Sequence, residues 1–250
     1  MFTDTHCHLY NEYYEDIDEV INRAKENDVN RYFVVGCDRK STEEVLKVIN
    51  KYPNTYGIIG YHPEVALEYT KDDIKYLEEH VKDNKVIAIG EIGLDYHYTK
   101  DCKNEQKELF EAQLSIAQKY NIPVCIHSRE ATQDTIDILK KYNVKGIIHS
   151  FSGSLEVANI YIKMGYKLGI GGVITFKNSN LKDVIKQIPL ENIVLETDAP
   201  YLTPHPYRGT PNEPKYIKTI AEFISVLYGV KLSQVSKVTN DNIREIFDIE

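Results

Sequence analysis

The stretch Asn104–His127, NEQKELFEAQLSIAQKYNIPVCIH, contains two different hydrophobic periodicities. Its first part places apolar residues such as Leu109, Ala112 and Ile116 at spacings of three and four positions, which is typical of an amphipathic helix. Its last part, Pro123–His127, is short, apolar and partly β-branched, which indicates a buried strand. We therefore predict that this stretch forms one helix followed by one strand of an α/β fold.

The same alternation runs along the whole chain. Seven further short apolar runs are separated by segments of helical period: Phe2–Thr5, Tyr32–Gly36, Thr55–Tyr61, Val86–Gly90, Gly146–His149, Lys167–Gly171 and Ile193–Thr197. Eight βα units within 250 residues predict an α/β fold of the (β/α)8 TIM barrel type, as a single domain covering residues 1–250. An open doubly wound sheet fits less well, because no glycine-rich phosphate-binding turn follows the first strand.

The composition narrows the class of protein. A hydrophobic content of 42% with 27% charged residues excludes a disordered chain, and no apolar run is long enough for a transmembrane helix. The first ten residues, MFTDTHCHLY, show no secretory signal, so we predict a cytoplasmic location. The 30 basic and 38 acidic residues give a net charge of −8, which argues against a broad basic surface for nucleic acid.

Side chains of metal-binding types follow or end six of the eight predicted strands. They are His6 and His8, His62, Glu91, His127, His149 and Asp198. The C-terminal strand ends of a (β/α)8 barrel line its active site, so these groups are predicted to lie together. His6 and His8 are two positions apart on one strand, which places both imidazoles on the same side, where they can chelate one ion.

The types of ligand indicate the kind of metal site. The predicted ligands are His6, His8, Glu91, His127, His149 and Asp198. Four imidazoles and two carboxylates suit Zn, Mn, Fe or Mg, so the metal identity stays open. Six protein ligands exceed what one catalytic Zn normally takes, which predicts two divalent ions bridged by a carboxylate, with Glu91 as the bridge.

Several motifs carry a resemblance to a known family. The first, fifth and eighth strands read FTDTHCHL, PVCIHSREA and IVLETDAP, and GEIGLDY, IIHSFSG and YRGTPNEP occur between and after them. From residue 2 to about 247 the chain resembles the TatD family of metal-dependent deoxyribonucleases, within the amidohydrolase-like barrel group. It departs from the usual family pattern at Tyr10, where the family usually has Asp or Asn, and at Gln133, where an acid is common.

The resemblance implies a ligand assignment and an activity. His6, His8, Glu91 and Asp198 would hold one ion, and Glu91, His127 and His149 the other. The implied reaction is hydrolysis of DNA phosphodiester bonds, including 3′–5′ exonuclease trimming of single-stranded or damaged ends. Two ions can lower the pKa of a bridging water, and Asp198 would orient that water and accept its proton.

The predicted partners follow from the charge of the site. Two carboxylates and two divalent ions leave the pocket with a formal charge of about +2, so an anionic strand end can be held although the chain is acidic. DNA, bound by its single-stranded ends, is the predicted partner, and no membrane and no obligate protein partner are predicted.

Three residues are candidates for contacts with that substrate: His62, Arg129 and Arg208. His62 could donate to a phosphate oxygen, and an arginine can contact phosphate through two parallel hydrogen bonds. Tyr61, Tyr96 and Phe176 lie where bases could stack, although packing is the more common role of a tyrosine in a chain that has 19.

Two other functions remain open. An amidohydrolase of the same barrel group, cleaving C–N or ester bonds of a small molecule, would share the metal-ligand pattern. Many such enzymes bridge their ions with a carboxylated lysine on the fourth strand, whereas this strand ends in Glu91 and its nearest lysine, Lys85, lies at the opposite end. A non-catalytic metal-binding scaffold is the second alternative, and it predicts a closed ligand shell.

Overall fold

The computed structural model describes residues 1–98 and 100–249. Strands and helices alternate along this part of the chain. The strands are β1 Phe2–Cys7, β2 Val29–Val35, β3 Thr55–Ile59, β4 Val86–Asp95, β5 Val124–Arg129, β6 Gly146–Ile148, β7 Lys167–Ile170 and β8 Ile193–Leu195. The helices are α1 Ile17–Glu26, α2 Arg39–Lys51, α3 Lys71–His80, α4 Lys103–Tyr120, α5 Thr132–Leu139, α6 Leu155–Lys163, α7 Leu181–Ile185, α8 Ile217–Tyr228 and α9 Leu232–Phe247.

The strands are hydrogen-bonded in chain order, from β1 to β8, in one sheet, and at least one helix follows each strand. The order and the alternation are those of a (β/α)8 barrel, so the predicted fold class is confirmed. The described chain comprises two compact units, residues 1–34 with 150–250 and residues 35–149.

In the first unit, the N-terminal strand is held from two directions. β1 pairs in parallel with β2, and Cys7 forms a parallel bridge with Ala199 just beyond β8. Helix α9 also reaches the start of β1, because the amide of Asn240 donates to the carbonyl of Met1 and the hydroxyl of Thr3 donates to Asn240 Oδ1. The end of β1 therefore has a defined position next to the loop that follows β8.

In the second unit, β3, β4, β5 and β6 are parallel neighbours. β4 is ten residues long and continues five positions beyond the predicted end at Gly90. Gly93 makes this possible: its φ is +145°, and a Cβ atom there would collide with the carbonyl oxygen of His127 on β5. The extension pairs Gly93 with His127 and Asp95 with Arg129, so both strands run on into the region of the candidate site.

Two helix starts in the second unit, those of α2 and α3, have capping boxes. The Asp38 carboxylate accepts from the backbone N–H of Ser41, and the Ser41 hydroxyl accepts from the backbone N–H of Asp38. Thr70 and Asp73 form the same reciprocal pair at the start of α3. Each box satisfies backbone donors that have no partner within the helix, and so sets where the chain turns back from the sheet.

Within residues 1–98 and 100–249, no helix combines the length and apolar character needed to cross a membrane.

Candidate metal centre

The first cluster of predicted ligands lies in the first unit and consists of His6, His8 and Asp198. His6 is in β1 and His8 directly follows it, and the Nε2 atoms of the two rings lie 3.8 and 3.6 Å from Oδ1 of Asp198. The donor atoms of all three residues lie within 4.8 Å of one another. His6 is fully buried and Asp198 is 16% exposed, so the cluster is open to solvent on the carboxylate side.

Backbone hydrogen bonds hold this cluster together. The N–H of Asp198 donates to the carbonyl of His6 at 2.9 Å, and the N–H of His8 donates to the carbonyl of Ala199 at 2.8 Å. Asp198 has a φ of +57°, in the left-handed region that aspartate tolerates better than most residues. The two hydrogen bonds hold the loop after β8 against the end of β1. They therefore fix the position of the Asp198 carboxylate beside the imidazoles of His6 and His8.

A buried carboxyl group, Asp4, supports the same junction. Its Oδ1 accepts from the backbone N–H groups of Thr197 and His6, and its Oδ2 accepts from the Thr197 hydroxyl at 2.6 Å. Burial raises the pKa of Asp4 to about 8, although these hydrogen bonds favour the ionised form. Asp4 therefore ties β1 to the segment that carries Asp198 without needing to be a ligand itself.

The amide of Asn212 holds the loop after β8 from its other end. Asn212 is fully buried, and its Nδ2 donates to the carbonyls of Thr197 and Tyr201, on either side of Asp198. The carbonyl of Asn212 in turn accepts from the hydroxyl of Tyr14. This residue lies in the YRGTPNEP motif, whose place in the fold the sequence did not reveal.

Tyr10, the departure from the family pattern, contacts a predicted ligand. Its hydroxyl lies 3.3 Å from Nδ1 of His8, while Nε2 of the same ring faces Asp198. A metal-binding imidazole usually has its second nitrogen hydrogen-bonded, which fixes the tautomer and the ring orientation. The Tyr10 hydroxyl fulfils this role for His8.

We expect a Tyr10→Phe variant to bind Mn²⁺ or Zn²⁺ at the His6, His8 and Asp198 cluster about tenfold more weakly, because His8 loses this orienting hydrogen bond. Titration calorimetry on the metal-free protein measures the change. Tyr13→Phe is the matched control, since it removes a nearby hydroxyl that accepts from the hydroxyl of Tyr201. Equal affinities for the Tyr10→Phe variant and the unaltered protein would contradict the assigned role.

The second cluster lies in the second unit and centres on Glu91, in β4. Oε1 of Glu91 is 2.7 Å from Nδ1 of His127, 3.7 Å from Nε2 of His62 and 3.8 Å from Nε2 of His149. The donor atoms of His62, Glu91 and His127 lie within 4.8 Å of one another. The structure thus brings the predicted ligands Glu91, His127 and His149 together, and it adds His62 to the same carboxylate.

Asp95 is a site residue that sequence reasoning missed. Its Oδ2 is 3.0 Å from Nε2 of His127, so this imidazole has a carboxylate at each nitrogen. A carboxylate on the outer nitrogen of a metal-binding histidine is a common orienting arrangement. The available signal was the spacing: Asp95 lies four positions after Glu91, so the two share a face of β4 once the strand extends past Gly90.

The contacts between His127 and its neighbouring carboxylates shift the pKa of both His127 and Asp95. Burial alone would lower the pKa of His127, but the hydrogen bonds with Asp95 and Glu91 raise it to about 9. Burial alone would raise the pKa of Asp95, but its bonds with His127 and with the backbone N–H of Tyr98 and His97 lower it to about 2. The cluster therefore favours a positive charge at this position.

His127 provides a pH test on the metal-free protein. Its pKa is about 9 in the folded chain against 6.5 in an unfolded one, so the proton stabilises the fold fully below pH 6.5 and this contribution is lost as the pH rises through 9. With a chelator present, we expect the free energy of unfolding in urea to fall by about 1–3 kcal/mol across that range. In the His127→Gln variant, the free energy of unfolding should fall less over the same pH range. The raised pKa of Asp4 also makes the free energy of unfolding fall with rising pH below pH 8. The measured quantity is therefore the difference in this pH dependence between the unaltered protein and the His127→Gln variant. Equal pH dependence in the two proteins would refute the raised pKa of His127.

The donor chemistry of both clusters fits divalent metal ions. Imidazole nitrogens and carboxylate oxygens converge on common positions, and they are the ligands that Zn, Mn and Fe take together. Cys37 follows β2, is half-buried and has its Sγ 3.9 Å from Oε2 of Glu91. The number and identity of the ions stay predictions.

The candidate substrate residues have different surroundings. His62 is mostly buried, and its ring contacts that of His127 with centroids 4.5 Å apart. Arg129 is exposed with its guanidinium over the ring of Tyr98, and Arg208 is exposed with its guanidinium 4.1 Å from the centre of the Phe176 ring.

The two tyrosines considered for base stacking have packing roles. Tyr61 is buried and its hydroxyl approaches Asp73, and Tyr96 is buried with its hydroxyl donating to Asp134 at 2.6 Å. Their ring faces are therefore not exposed at the surface.

The chain is similar to known proteins over its whole length. The family model described as TatD related DNase matches residues 3–248. A Bacillus subtilis protein with the name uncharacterized metal-dependent hydrolase YabD is 44% identical to this chain. The match covers 100% of both chains.

Solved structures show the same similarity. YJJV, described as a TatD homolog from Escherichia coli, superposes with a TM-score of 0.95 at 29% identity, covering 100% of this chain and 98% of that one. A hydrolase described as a TatD family protein from Entamoeba histolytica gives a TM-score of 0.89 at 27% identity, covering 98% and 97% of the two chains.

Proposed function

Because the chain belongs to the TatD family of metal-dependent hydrolases, we propose that it hydrolyses phosphodiester bonds of DNA and removes nucleotides from a 3′ end. The matching family model is described as a DNase, and its match extends over both clusters of predicted ligands. The observation that carries the proposal is the convergence of imidazole and carboxylate donors from several strands on positions suited to divalent ions. Bound there, such ions would activate water and neutralise charge on a phosphate.

The residues of this chain have separate roles in the proposed reaction. Asp198 is the proposed proton acceptor, because its carboxylate is partly exposed to solvent while the neighbouring His6 is fully buried. Glu91 is a buried carboxylate in contact with three imidazoles, which suits it to hold ligands and charge in place. His62 is proposed to donate to a phosphate oxygen of the substrate, and Arg129 and Arg208 to contact phosphates from exposed positions.

The net charge of −8 bears on the form of the DNA. A protein that binds long duplexes does so largely through many basic contacts to the phosphates. An acidic chain whose positive charge is local to bound ions is better suited to one strand end. We therefore propose single-stranded 3′ ends as the preferred substrate and a cytoplasmic location for the activity.

Lys85 is the residue that separates this proposal from the amidohydrolase alternative. Its ammonium group donates to the carbonyls of Ile49 and Tyr52, at the start of β4 and away from Glu91. It is therefore not placed to serve as a carboxylated bridging lysine. The scaffold alternative predicts a closed shell, whereas Asp198 and His127 keep 16% and 19% of their side-chain surface exposed.

The proposal is tested with purified protein and a 5′-labelled single-stranded oligonucleotide. With Mg²⁺ or Mn²⁺ we expect stepwise shortening from the 3′ end, and none with a chelator. A blocked 3′ terminus should stop the shortening, which separates exonuclease from endonuclease cleavage. Absence of any cleavage, together with turnover of a panel of cyclic amides and esters, would refute the proposal in favour of the amidohydrolase alternative.

A further inference from the structure

Three tyrosines surround His8 in the first unit, and we call them the tyrosine wall: Tyr10, Tyr13 and Tyr201. Their ring centroids lie 6.1, 6.2 and 6.0 Å from that of His8. Tyr10 is buried, but Tyr13 and Tyr201 are 38% and 48% exposed. A large aromatic surface thus stands open to solvent directly beside a predicted metal ligand.

The two exposed rings are held in place from separate parts of the chain. Tyr13 belongs to the turn after β1, where its N–H donates to the carbonyl of Tyr10 and its ring lies 5.3 Å from that of Tyr10. Tyr201 belongs to the loop after β8, where its N–H donates to the carbonyl of Asp198 and its own carbonyl accepts from Asn212. The wall is therefore ordered before any ligand binds, which reduces the entropy cost of binding.

The hydroxyl groups further define which ligand the wall suits. The Tyr201 hydroxyl donates to the Tyr13 hydroxyl at 3.0 Å, and the two rings meet edge to face with centroids 5.9 Å apart. This bond joins the two rings at their polar tips and leaves flat, uncharged ring surface exposed. Such surface favours a planar aromatic ligand over a phosphate or another ion.

We propose that the tyrosine wall is a nucleobase subsite, in which the base of the 3′-terminal nucleotide stacks on Tyr13 and Tyr201. This inference rests on the proposed function and names how its substrate is positioned. A base on the wall lies beside His8, so the sugar and phosphate attached to it extend toward the predicted ligands. Stacking accepts any of the four bases, because every base has an aromatic face.

The test compares two oligonucleotides and four proteins. The substrates are a ten-nucleotide single strand and the same strand with an abasic 3′-terminal nucleotide, both with Mn²⁺. The variants are Tyr13→Leu with Tyr201→Leu, which removes both rings, and Tyr13→Phe with Tyr201→Phe, which keeps them. Tyr207→Leu is the control for loss of an exposed tyrosine, since Tyr207 is 45% exposed but its ring packs on Tyr216.

We expect the unaltered protein to have a KM about tenfold higher for the abasic strand. The leucine double variant should show this raised KM for both strands, with kcat changed less than about twofold, whereas the phenylalanine double variant and Tyr207→Leu should discriminate as the unaltered protein does. If the leucine double variant still discriminates against the abasic strand, the inference is wrong.

A spectroscopic measurement gives a readout apart from catalysis. A strand with 2-aminopurine at its 3′ end and a phosphorothioate as its last linkage, which slows cleavage, should lose fluorescence on binding to the unaltered protein, through stacking, and the two leucine substitutions should abolish that loss. If DNA is cleaved but neither the KM ratio nor the fluorescence depends on the two rings, only the subsite is refuted. If no DNA is cleaved or bound at all, the proposed function fails and the subsite fails with it.

Discussion

Replacement of Glu91 by glutamine is expected to lower the rate of metal-dependent DNA cleavage by about a thousandfold. Glutamine keeps the shape of the side chain but removes the charge that faces His62, His127 and His149. The ion predicted at this cluster depends on this carboxylate. The rate is measured with the 5′-labelled single strand under saturating Mn²⁺.

Two controls make this result specific. Glu78→Gln removes a partly exposed carboxylate on α3 that pairs with Lys119, and it should leave the rate within about twofold. The melting temperature of Glu91→Gln in the presence of a chelator should stay within a few degrees of that of the unaltered protein, which excludes unfolding as the cause. Undiminished cleavage by the folded variant would show that Glu91 is not part of the catalytic centre.

A double variant, His6→Ala with His8→Ala, is expected to lose about one of two bound ions per chain. The two imidazoles supply two of the three donors in their cluster, and Asp198 alone cannot hold a divalent ion tightly. Elemental analysis after dialysis measures the metal content directly. The ion at the Glu91 cluster should remain, because its donors are unchanged.

The matched control for the metal content is His80→Ala. His80 ends α3, where its ring stacks on Tyr76 and its Nδ1 lies 2.9 Å from the Tyr76 carbonyl, so it has a local role. Its replacement should leave the metal content as it is. Unchanged metal content in the His6 and His8 double variant would remove the basis of the first cluster as a metal site.

The sequence predicted the eight strands and the fold class because the alternation of short apolar runs with helical periods is a local property. It predicted the clusters for a related reason: His6, His8, Glu91 and His127 all lie within a strand or directly after one, so the order of the strands determines where they lie. The spacing of two between His6 and His8 was sufficient to place both rings on one side.

The parts that the sequence did not predict depend on contacts between distant segments. Gly93 resembles a turn residue, and only its approach to the backbone of β5 explains why β4 continues to Asp95. The contact between Tyr10 and His8 depends on the turn after β1, whose course no periodicity encodes. The tyrosine wall joins Tyr13 to Tyr201, which lie 188 positions apart, so neither local segment reveals it.

The bonds that join the end of β1 to the loop after β8 have a consequence for biosynthesis. His6 and His8 leave the ribosome about 190 residues before the backbone partners of this segment, Asp198 and Ala199, are made. A nascent chain therefore carries two imidazoles without the carboxylate that completes their cluster. Capture of an ion by all three groups must wait until Asp198 has emerged, so a product terminated before that residue lacks this predicted metal site.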